Sequence, residues 1–389
     1  MKYPEHVKKI LNRIEEAGHE AFIVGGALRD MMLGRDSHDY DITTSALPEE
    51  TAEIFSDLHV IKTGLKHGTV TVVIDRHPIE ITTYRVDGDY KDSRHPSGVS
   101  FTRNIEDDLA RRDFTVNAMA YNDKRGLVDL FGGKDDLERQ IIRAVGEPER
   151  RFTEDALRIM RAFRFSSKLG FEIEENTLAA AENCRHGLAN ISAERKSVEL
   201  EGIMLGAGVE KALFGMHSSK IFEIIAPMIT LDTTRFSKVC TLPHDFACRM
   251  SFCLVGQEST EKYISTLKLS NAVSSKIKKL ARLAEAPLDV SSDGRLRRLM
   301  AVCGEDTELL LKIKSALGED VGGIPERIEA IRKRGDCLSI RNLALDGRDL
   351  GEIGISGKEV GNTLEKLLNA VLDNPELNTR DCLIKIIKG

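Results

Sequence analysis

Short apolar runs alternate with polar segments over the first 145 residues of the chain. The run 22–24 has strand length, and the stretch 69–84 contains two alternating segments around a polar turn, which predicts a β-hairpin. A charged amphipathic helix is predicted at the N-terminus, and 48–57 begins with Pro-Glu-Glu, which is typical of a helix start. We therefore expect a small mixed sheet with helices over 1–145.

Strand signals fade after about residue 146, and helical periodicity continues from there. Breaks that contain proline indicate boundaries between helical parts of the chain. We expect an α+β protein whose C-terminal half is all-α. Its three predicted parts are 1–145, 146–215 and 216–389.

The segment 154–169 is predicted to be a helix with two different faces. Its apolar arc, at 100° per residue, contains Ala156, Ile159, Met160 and Phe163. Its opposite face carries four charged groups, which are Asp155, Arg158, Arg161 and Arg164. Two interpretations stay open: a surface helix with an ion pair between residues three apart, or a helix that lines a cleft.

Composition adds little to this outline. Of 389 residues, 41% are hydrophobic and 30% are charged, and the formal net charge of −6 does not indicate a nucleic-acid partner. A local basic stripe at 262–298 would still suffice for one, although a solvated helix face fits it equally well.

Cysteine usage and hydropathy favour a cytoplasmic protein. The seven cysteines are odd in number and show no C-x-x-C spacing, which is typical of reduced thiols. The N-terminal segment is charged throughout, unlike a signal peptide, and no apolar run approaches 18 residues. We expect no membrane association.

The segment 22–44 combines a glycine turn with closely spaced aspartates. Gly26 belongs to a Gly-Gly turn, where phosphate oxygens can approach bare backbone N–H groups, and a helix that carries Arg29 follows. Asp39 and Asp41 stand two apart on a predicted strand, about 6.6 Å between Cα atoms, so both carboxylates would face the same side. This spacing lets them converge on two Mg²⁺ ions about 3.5–4 Å apart, as nucleotidyl transfer requires.

A third carboxylate depends on how the predicted hairpin pairs. Glu80 and Thr82 share one face of its second strand. If that strand lies beside the Asp39–Asp41 strand, Glu80 joins the metal ligands. Otherwise it is an ordinary exposed strand residue.

Several motifs with fixed spacing carry a family resemblance. They are G-G-x-x-R-D-x-x-L-G-R-x-x-x-D-x-D at 25–41, R-R-D-F-T-V-N-A-M-A at 111–120, D-L-F-G-G at 129–133, E-D-x-x-R-x-x-R at 154–161 and, more loosely, A-E-R at 193–195. Together they resemble class II tRNA nucleotidyltransferases (CCA-adding enzymes) and bacterial poly(A) polymerases, within the polymerase β-like superfamily. The resemblance covers about the first 200 residues.

This resemblance implies a role for each candidate residue. Asp39 and Asp41, with Glu80 as third candidate, would be catalytic, and the two aspartates would bind two Mg²⁺ ions, with Mn²⁺ as an alternative. Gly26, Arg29 and Arg112 would contact phosphates and Asp113 a ribose hydroxyl. Asp155 and Arg158 would read the base, while Arg161 and Arg164 would contact phosphates or support that pair.

The implied domains are a nucleotidyltransferase head at 1–145, a base-recognising neck at 146–215 and a tRNA-binding body and tail at 216–389. The implied activity is template-independent addition of CCA to the 3′ end of tRNA from CTP and ATP. Addition of the terminal A alone and poly(A) polymerase activity are alternatives, and a non-catalytic RNA-binding protein on the same fold is a rival of another class. The sequence leaves the oligomeric state open.

Overall fold

The computed structural model describes residues 1–37, 39–87 and 99–388. The chain divides into two compact units, Met1–Pro227 and Met228–Gly389. The predicted domain boundaries at 145 and 215 divide the chain at other places than the boundary between these two units. They stay predictions.

Among the described residues, the strands lie in the first unit. They are β1 Ala21–Val24, β2 Asp41–Thr44, β3 His59–Ile61, β4 Thr69–Ile74, β5 His77–Thr83, β6 Arg85–Asp87, β7 Val99–Phe101, β8 Met119–Asn122, β9 Gly126–Asp129, β10 Ile141–Ile142 and β11 Glu172–Ile173. Seven of them form one sheet in the order β3-β4-β5-β2-β1-β8-β9. Its pairs are antiparallel except for β2 with β5, which run parallel, so the predicted mixed sheet is confirmed.

Helices surround this sheet and continue to the end of the unit. They are α1 Glu5–Glu16, α2 Gly25–Met32, α3 Pro48–Ile54, α4 Ile105–Ala110, α5 Gly133–Arg139, α6 Pro148–Glu154, α7 Leu157–Leu169, α8 Glu175–Cys184, α9 Ala193–Leu205, α10 Val209–Ser218 and α11 Phe222–Ile225. The predicted amphipathic α1 is confirmed, since its apolar residues Val7, Ile10, Leu11 and Ile14 are buried.

The predicted hairpin forms from β4 and β5, with Val70 opposite Ile81. Its turn residues Asp75 and Arg76 both have positive φ, which suits the right-handed twist of a tight hairpin. The segment 85–105 is polar and rich in glycine and proline, a composition that predicts a loop. Its described ends pair as β6 and β7, and 88–98 lies outside the described residues.

The predicted helix 154–169 is two helices. Asp155 separates α6 from α7 with an extended backbone (φ −143°, ψ 104°), so it does not stand on the charged face of α7. The apolar arc was predicted correctly, because Ile159, Met160 and Phe163 are fully buried. The break matters for the site, since Asp155 projects from a junction between helices.

The second unit contains only helices among its described residues, which agrees with the expected all-α C-terminal half. They are α12 Phe236–Val239, α13 Phe246–Leu254, α14 Thr260–Thr266, α15 Asn271–Glu285, α16 Asp293–Cys303, α17 Thr307–Leu317, α18 Ile324–Arg334, α19 Gly347–Glu352, α20 Lys358–Asp373 and α21 Arg380–Lys388. None of the described helices is both long and apolar enough to cross a membrane.

Much of the predicted basic stripe at 262–298 is neutralised. Five of its cations have carboxylate partners, which are Lys276, Lys279, Arg295, Arg297 and Arg298. Arg297 is almost fully buried, and it donates to two carbonyls at the C-terminal end of α20. These residues hold the helices together, which leaves fewer charges for a nucleic acid.

A buried lysine fixes the end of α15. Lys314 on α17 is 1% exposed and donates to the carbonyls of Ala284 and Ala286 and to Glu319. These carbonyls have no further intrahelical partner at a helix end, so the ammonium group satisfies acceptors that would otherwise lose their hydration. Burial of a lysine is tolerated here because all three acceptors converge on it.

Lys314→Met should destabilise the full-length protein by about 2–3 kcal/mol, because it leaves buried acceptors without a donor. Denaturant unfolding followed by circular dichroism measures this change. Lys312→Met is the matched control, because Lys312 is exposed on the same helix and should change stability by less than about 0.5 kcal/mol. Equal effects of the two variants would contradict the role of Lys314.

Candidate active site

The sheet places two carboxylates side by side. Asp41 at the start of β2 is in register with Glu80 on β5, and residues in register share a face of a sheet. The condition for Glu80 to join the site, pairing of its strand beside β2, is therefore met. Asp41 is exposed to solvent, but surrounding protein atoms desolvate its carboxyl and raise its pKa. Glu80 raises this pKa further, while Arg112 acts in the opposite direction.

Asp39 lies differently from the prediction. β2 begins at Asp41, so Asp39 precedes the strand and is exposed, and the predicted placement of both aspartates on the strand is wrong for Asp39. Its charge still reaches the site, because Asp39 contributes to the raised pKa of Asp41.

The donor set fits a divalent cation. All three groups offer carboxylate oxygens, which hard divalent ions prefer, and their mutual repulsion is what a cation would relieve. Among the described residues, no cluster of three His, Cys, Asp or Glu side chains is gathered closely enough to hold an ion by itself. Ligands from a substrate phosphate would complete such a site.

The glycine turn lies directly against Asp41. Gly25 has φ +66°, and a Cβ there would stand 3.5 Å from Arg112 Nη1 and 3.6 Å from Asp41 Oδ2. Gly26, the glycine nominated from the sequence, is close to Arg29 instead, 3.6 Å from its Nη2. Gly25 is the first glycine of the predicted Gly-Gly turn, and its positive φ is what a strand that turns directly into a helix requires.

Arg29 is almost fully buried behind this turn. Its Nη1 donates to Asn117 Oδ1 at 2.8 Å, and its Nε and Nη2 donate to Asp30 Oδ1. Most of its donors are therefore occupied by protein groups.

Asp108 binds two arginines of the site, and it was not nominated as a site residue from the sequence. It is fully buried on α4, and it accepts from Arg111 at 2.7 Å and from Arg112 at 3.0 Å. Burial alone would raise the pKa of Asp108, but Arg112 and Arg111 lower it. The spacing of three and four residues could have indicated these pairs.

Asp113 is saturated with hydrogen bonds. Its Oδ2 accepts from Nε and Nη2 of Arg161 at 2.8 and 2.6 Å, and its Oδ1 accepts from Asn117 and from the Phe114 N–H. Burial opposes ionisation, yet Arg161 and these hydrogen bonds lower the pKa of Asp113.

The predicted Asp155–Arg158 pair is not an ion pair. Asp155 Oδ2 accepts from Arg195 Nη2 at 2.8 Å, and Arg158 Nη1 donates to Glu154 Oε2 at 2.8 Å. Arg158 also donates to the Arg111 carbonyl and is only 8% exposed. Each group of the pair is thus held by another residue, which the sequence did not reveal.

An aromatic ring contacts three of the guanidinium groups. The ring centroid of Phe165 lies 5.4 Å from Arg29, 5.4 Å from Arg161 and 4.3 Å from Arg164. Arg164 also donates to Glu199 on α9. Cation–π contacts and carboxylates therefore keep these like charges close together.

These groups line one cavity of about 610 Å³, which is ample for a nucleotide. It brings together most of the nominated residues, namely Gly26, Arg29, Asp41, Arg112, Asp113, Asp155, Arg158, Arg161 and Arg164. Asp39 and Glu80 are not in its lining. The lining also includes Arg111, Phe165 and Arg195, which sequence reasoning did not nominate.

The mixed sheet places carboxylates beside a glycine turn, and the site opens onto a cavity lined by guanidinium groups. These features define a nucleotidyltransferase. Similarity to known proteins supports this class. A model of the Poly A polymerase head domain matches residues 21–143, and one of the probable RNA and SrmB-binding site of polymerase A matches 170–232.

Similarity over nearly the whole chain narrows the class further. The CCA-adding enzyme of Lactobacillus helveticus is 36% identical over 97% of this chain and 95% of its own length, and that of Streptococcus sanguinis is 35% identical over 94% and 92%. The crystal structure of the Bacillus stearothermophilus CCA-adding enzyme in complex with CTP superposes with a TM-score of 0.85 at 30% identity, covering 100% of this chain and 98% of that one. The chain belongs to the family of CCA-adding enzymes, which generally use divalent metal ions.

Asp113→Asn should cost about 2–3 kcal/mol of stability, because it removes the bidentate partner of Arg161. The pKa of Asp113 is lowered in the native state, so its contribution is complete above the ordinary Asp value near 3.9. This contribution to stability is lost as the pH falls through the lowered pKa of Asp113 in the native state.

Urea unfolding from pH 3 to pH 7 measures this difference between wild type and variant. The gap should be constant above about pH 5 and shrink at lower pH. Asp135→Asn, at an exposed position on α5, is the control and should change little. A gap that widens in acid would contradict the assignment.

Proposed function

We propose that this protein adds C, C and A to the 3′ end of tRNA from CTP and ATP, without a nucleic-acid template and with release of pyrophosphate. Family membership and the CTP complex of the Bacillus stearothermophilus relative support the proposal. The observation that carries it is a carboxylate and a guanidinium, Asp155 and Arg158, held separately in the cavity that Asp41 also lines. A cytoplasmic location accords with such a substrate.

Base selection follows from hydrogen-bond polarity. Cytosine and adenine both present an amino donor beside an unprotonated ring nitrogen, whereas uracil and guanine present a carbonyl and a ring N–H. The Asp155 carboxylate accepts from the amino group, and the Arg158 guanidinium donates to the ring nitrogen. Both contacts would be reversed for uracil or guanine, so these bases are rejected.

We assign the metal site to Asp41 and Asp39, with Glu80 as the third carboxylate, and Mg²⁺ (or Mn²⁺) as the ions. When bound, two such ions activate the terminal 3′-hydroxyl and neutralise charge on the triphosphate and leaving pyrophosphate. The three carboxylates would hold the cations together with phosphate oxygens of the substrate, since the described side chains alone are not gathered closely enough. Gly25 and Gly26 allow phosphate oxygens to approach the backbone.

The arginines divide between phosphate binding and support. Arg112 lies beside Gly25 and Asp41. We assign it to phosphate, together with the Arg29 N–H groups that Asn117 and Asp30 do not occupy. A carboxylate has about four acceptor sites, and Asp113 already uses four, so it supports Arg161 and contacts ribose only by releasing a donor. Arg161 and Arg164 keep the cavity positive while Asp113 and Glu199 hold them in place.

We assign tRNA binding to the helical C-terminal half, through the shape and backbone charge of the acceptor arm. Four cations of the basic stripe form no ion pair with another described residue and are the candidates for phosphate contacts, namely Lys262, Lys268, Lys278 and Arg282. Addition of A alone and poly(A) synthesis remain the alternatives that an assay must separate.

The direct assay supplies each labelled nucleotide with tRNA lacking all three terminal nucleotides, lacking only the last, or complete. We expect C incorporation on the first, A on the second and none on the third. A incorporation only on the second substrate identifies an A-adding enzyme, and long A tails identify a poly(A) polymerase.

Asp41→Ala should reduce incorporation at least about 1,000-fold while tRNA binding is retained, because it removes a metal ligand and no tRNA contact. Electrophoretic mobility shift measures that binding. Asp381→Ala, an exposed carboxylate of the second unit, is the control and should keep full activity. Activity retained in Asp41→Ala would contradict the metal assignment.

Reversing the hydrogen-bond polarity should change the accepted bases. The double variant Asp155→Asn, Arg158→Gln should lower the preference for CTP over UTP by about 100-fold. The ratio of kcat/KM for the two nucleotides on tRNA lacking CCA measures this. Arg139→Gln, an exposed guanidinium outside the cavity lining, should leave the ratio unchanged, whereas an unchanged ratio in the double variant would remove the base-reading assignment.

A further inference from the structure

Asp155 stands at the break between two helices. It occupies the extended junction between α6 and α7, where its N–H donates to the Arg151 carbonyl and its own carbonyl accepts from the Arg158 N–H. A side chain at such a junction samples several rotamers unless other groups hold it. Selecting a base by hydrogen bonds requires a fixed carboxylate plane, so something must supply the missing restraint.

Two donors hold this carboxylate. Oδ1 accepts from the Leu157 N–H at 3.1 Å, and Oδ2 accepts from Arg195 Nη2 at 2.8 Å. A carboxylate has about four acceptor sites, so two remain for a ligand, in contrast to the saturated Asp113. The local backbone bond fixes one oxygen, and the guanidinium from α9 fixes the other.

Arg195 carries a further sign of a role beyond packing. Its Nη1 is buried and has no hydrogen-bond partner among the described residues, and the residue lines the cavity. A buried donor without an acceptor is unfavourable, so a contact optimised for stability alone would not leave it. The Arg195 guanidinium therefore donates to the Asp155 carboxylate through Nη2, while its Nη1 stays without an acceptor among the described residues.

We propose that Arg195 is a positioning residue for base selection, which orients the Asp155 carboxylate so that its free acceptor sites meet the amino group of cytosine or adenine. Arg195 acts on the Asp155 half of the reading pair, as Glu154 acts on the Arg158 half. Its position on α9 couples selectivity to a helix 40 residues further along the chain. This inference rests on the proposed function.

The test compares Arg195→Met, which removes the donors at similar length, with Arg195→Lys, which keeps a charged donor. In Arg195→Met the ratio of kcat/KM for CTP over UTP should fall about 10- to 100-fold, since a charge-assisted hydrogen bond to the reading carboxylate is lost. Arg195→Lys should recover part of the ratio. Lys196→Met is the matched control on α9, because Lys196 donates to the Leu188 carbonyl and is outside the cavity lining, and its ratio should stay unchanged.

A second measurement separates positioning from general damage to the fold. Asp155→Asn and Arg195→Met should be non-additive, so that Arg195→Met changes the ratio little when Asp155 is already replaced. Equal and additive effects in both backgrounds would overturn the proposal. So would an unchanged ratio in Arg195→Met.

Wild type is assayed alongside on the same tRNA. Wild type that adds no C, or that uses CTP and UTP equally, contradicts the proposed function itself. If wild type is selective and the ratio of kcat/KM for CTP over UTP is unchanged in Arg195→Met, the result contradicts only the role of Arg195. Thermal unfolding midpoints close to that of wild type exclude misfolding as the cause of a lowered ratio, and Arg195→Lys tests the proposal if Arg195→Met does not fold.

Discussion

Mutual repulsion among guanidinium groups is the constraint that the rest of the site obeys. Arg111, Arg112, Arg158, Arg161 and Arg164 line one cavity, and each is bound to a carboxylate supplied by the protein. Those carboxylates lie mostly buried, where the charge interaction is stronger than in water and each pair keeps a fixed geometry. The cavity can therefore stay positive for a triphosphate without collapsing or needing the ligand to hold it open.

Negative charges, in contrast, repel one another at the start of β2. Asp41, Glu80 and Asp39 bring negative charges together, and the pKa of Asp41 is raised first by desolvation and then by Glu80 and Asp39. A cation relieves that repulsion and a nucleotide relieves the positive charge nearby, so the two halves of the site complement each other. Gly25 stands where those halves meet, because a Cβ at this position would lie within 3.6 Å of both Asp41 and Arg112.

The local features of the fold were predictable from the sequence, whereas contacts between distant residues were not. The hairpin and the buried face of α7 follow from periodicity, which is a local property. The nominated cavity residues follow from motifs that resemble a known family. The break at Asp155 was missed because helical periodicity runs through 154–169 without glycine or proline to interrupt it. Arg195 was out of reach for another reason: its partner lies 40 residues away, and nothing in the pattern of α9 indicates which helix it meets.

A preformed site must discriminate before tRNA arrives, and calorimetric titration of the free protein with each nucleotide in the presence of Mg²⁺ measures this most directly. CTP and ATP should bind at least about 10-fold more tightly than UTP and GTP, because the carboxylate and guanidinium that read the base are already held in place. Equal affinities for all four nucleotides would contradict the account, since selection would then depend on something the free protein does not contain.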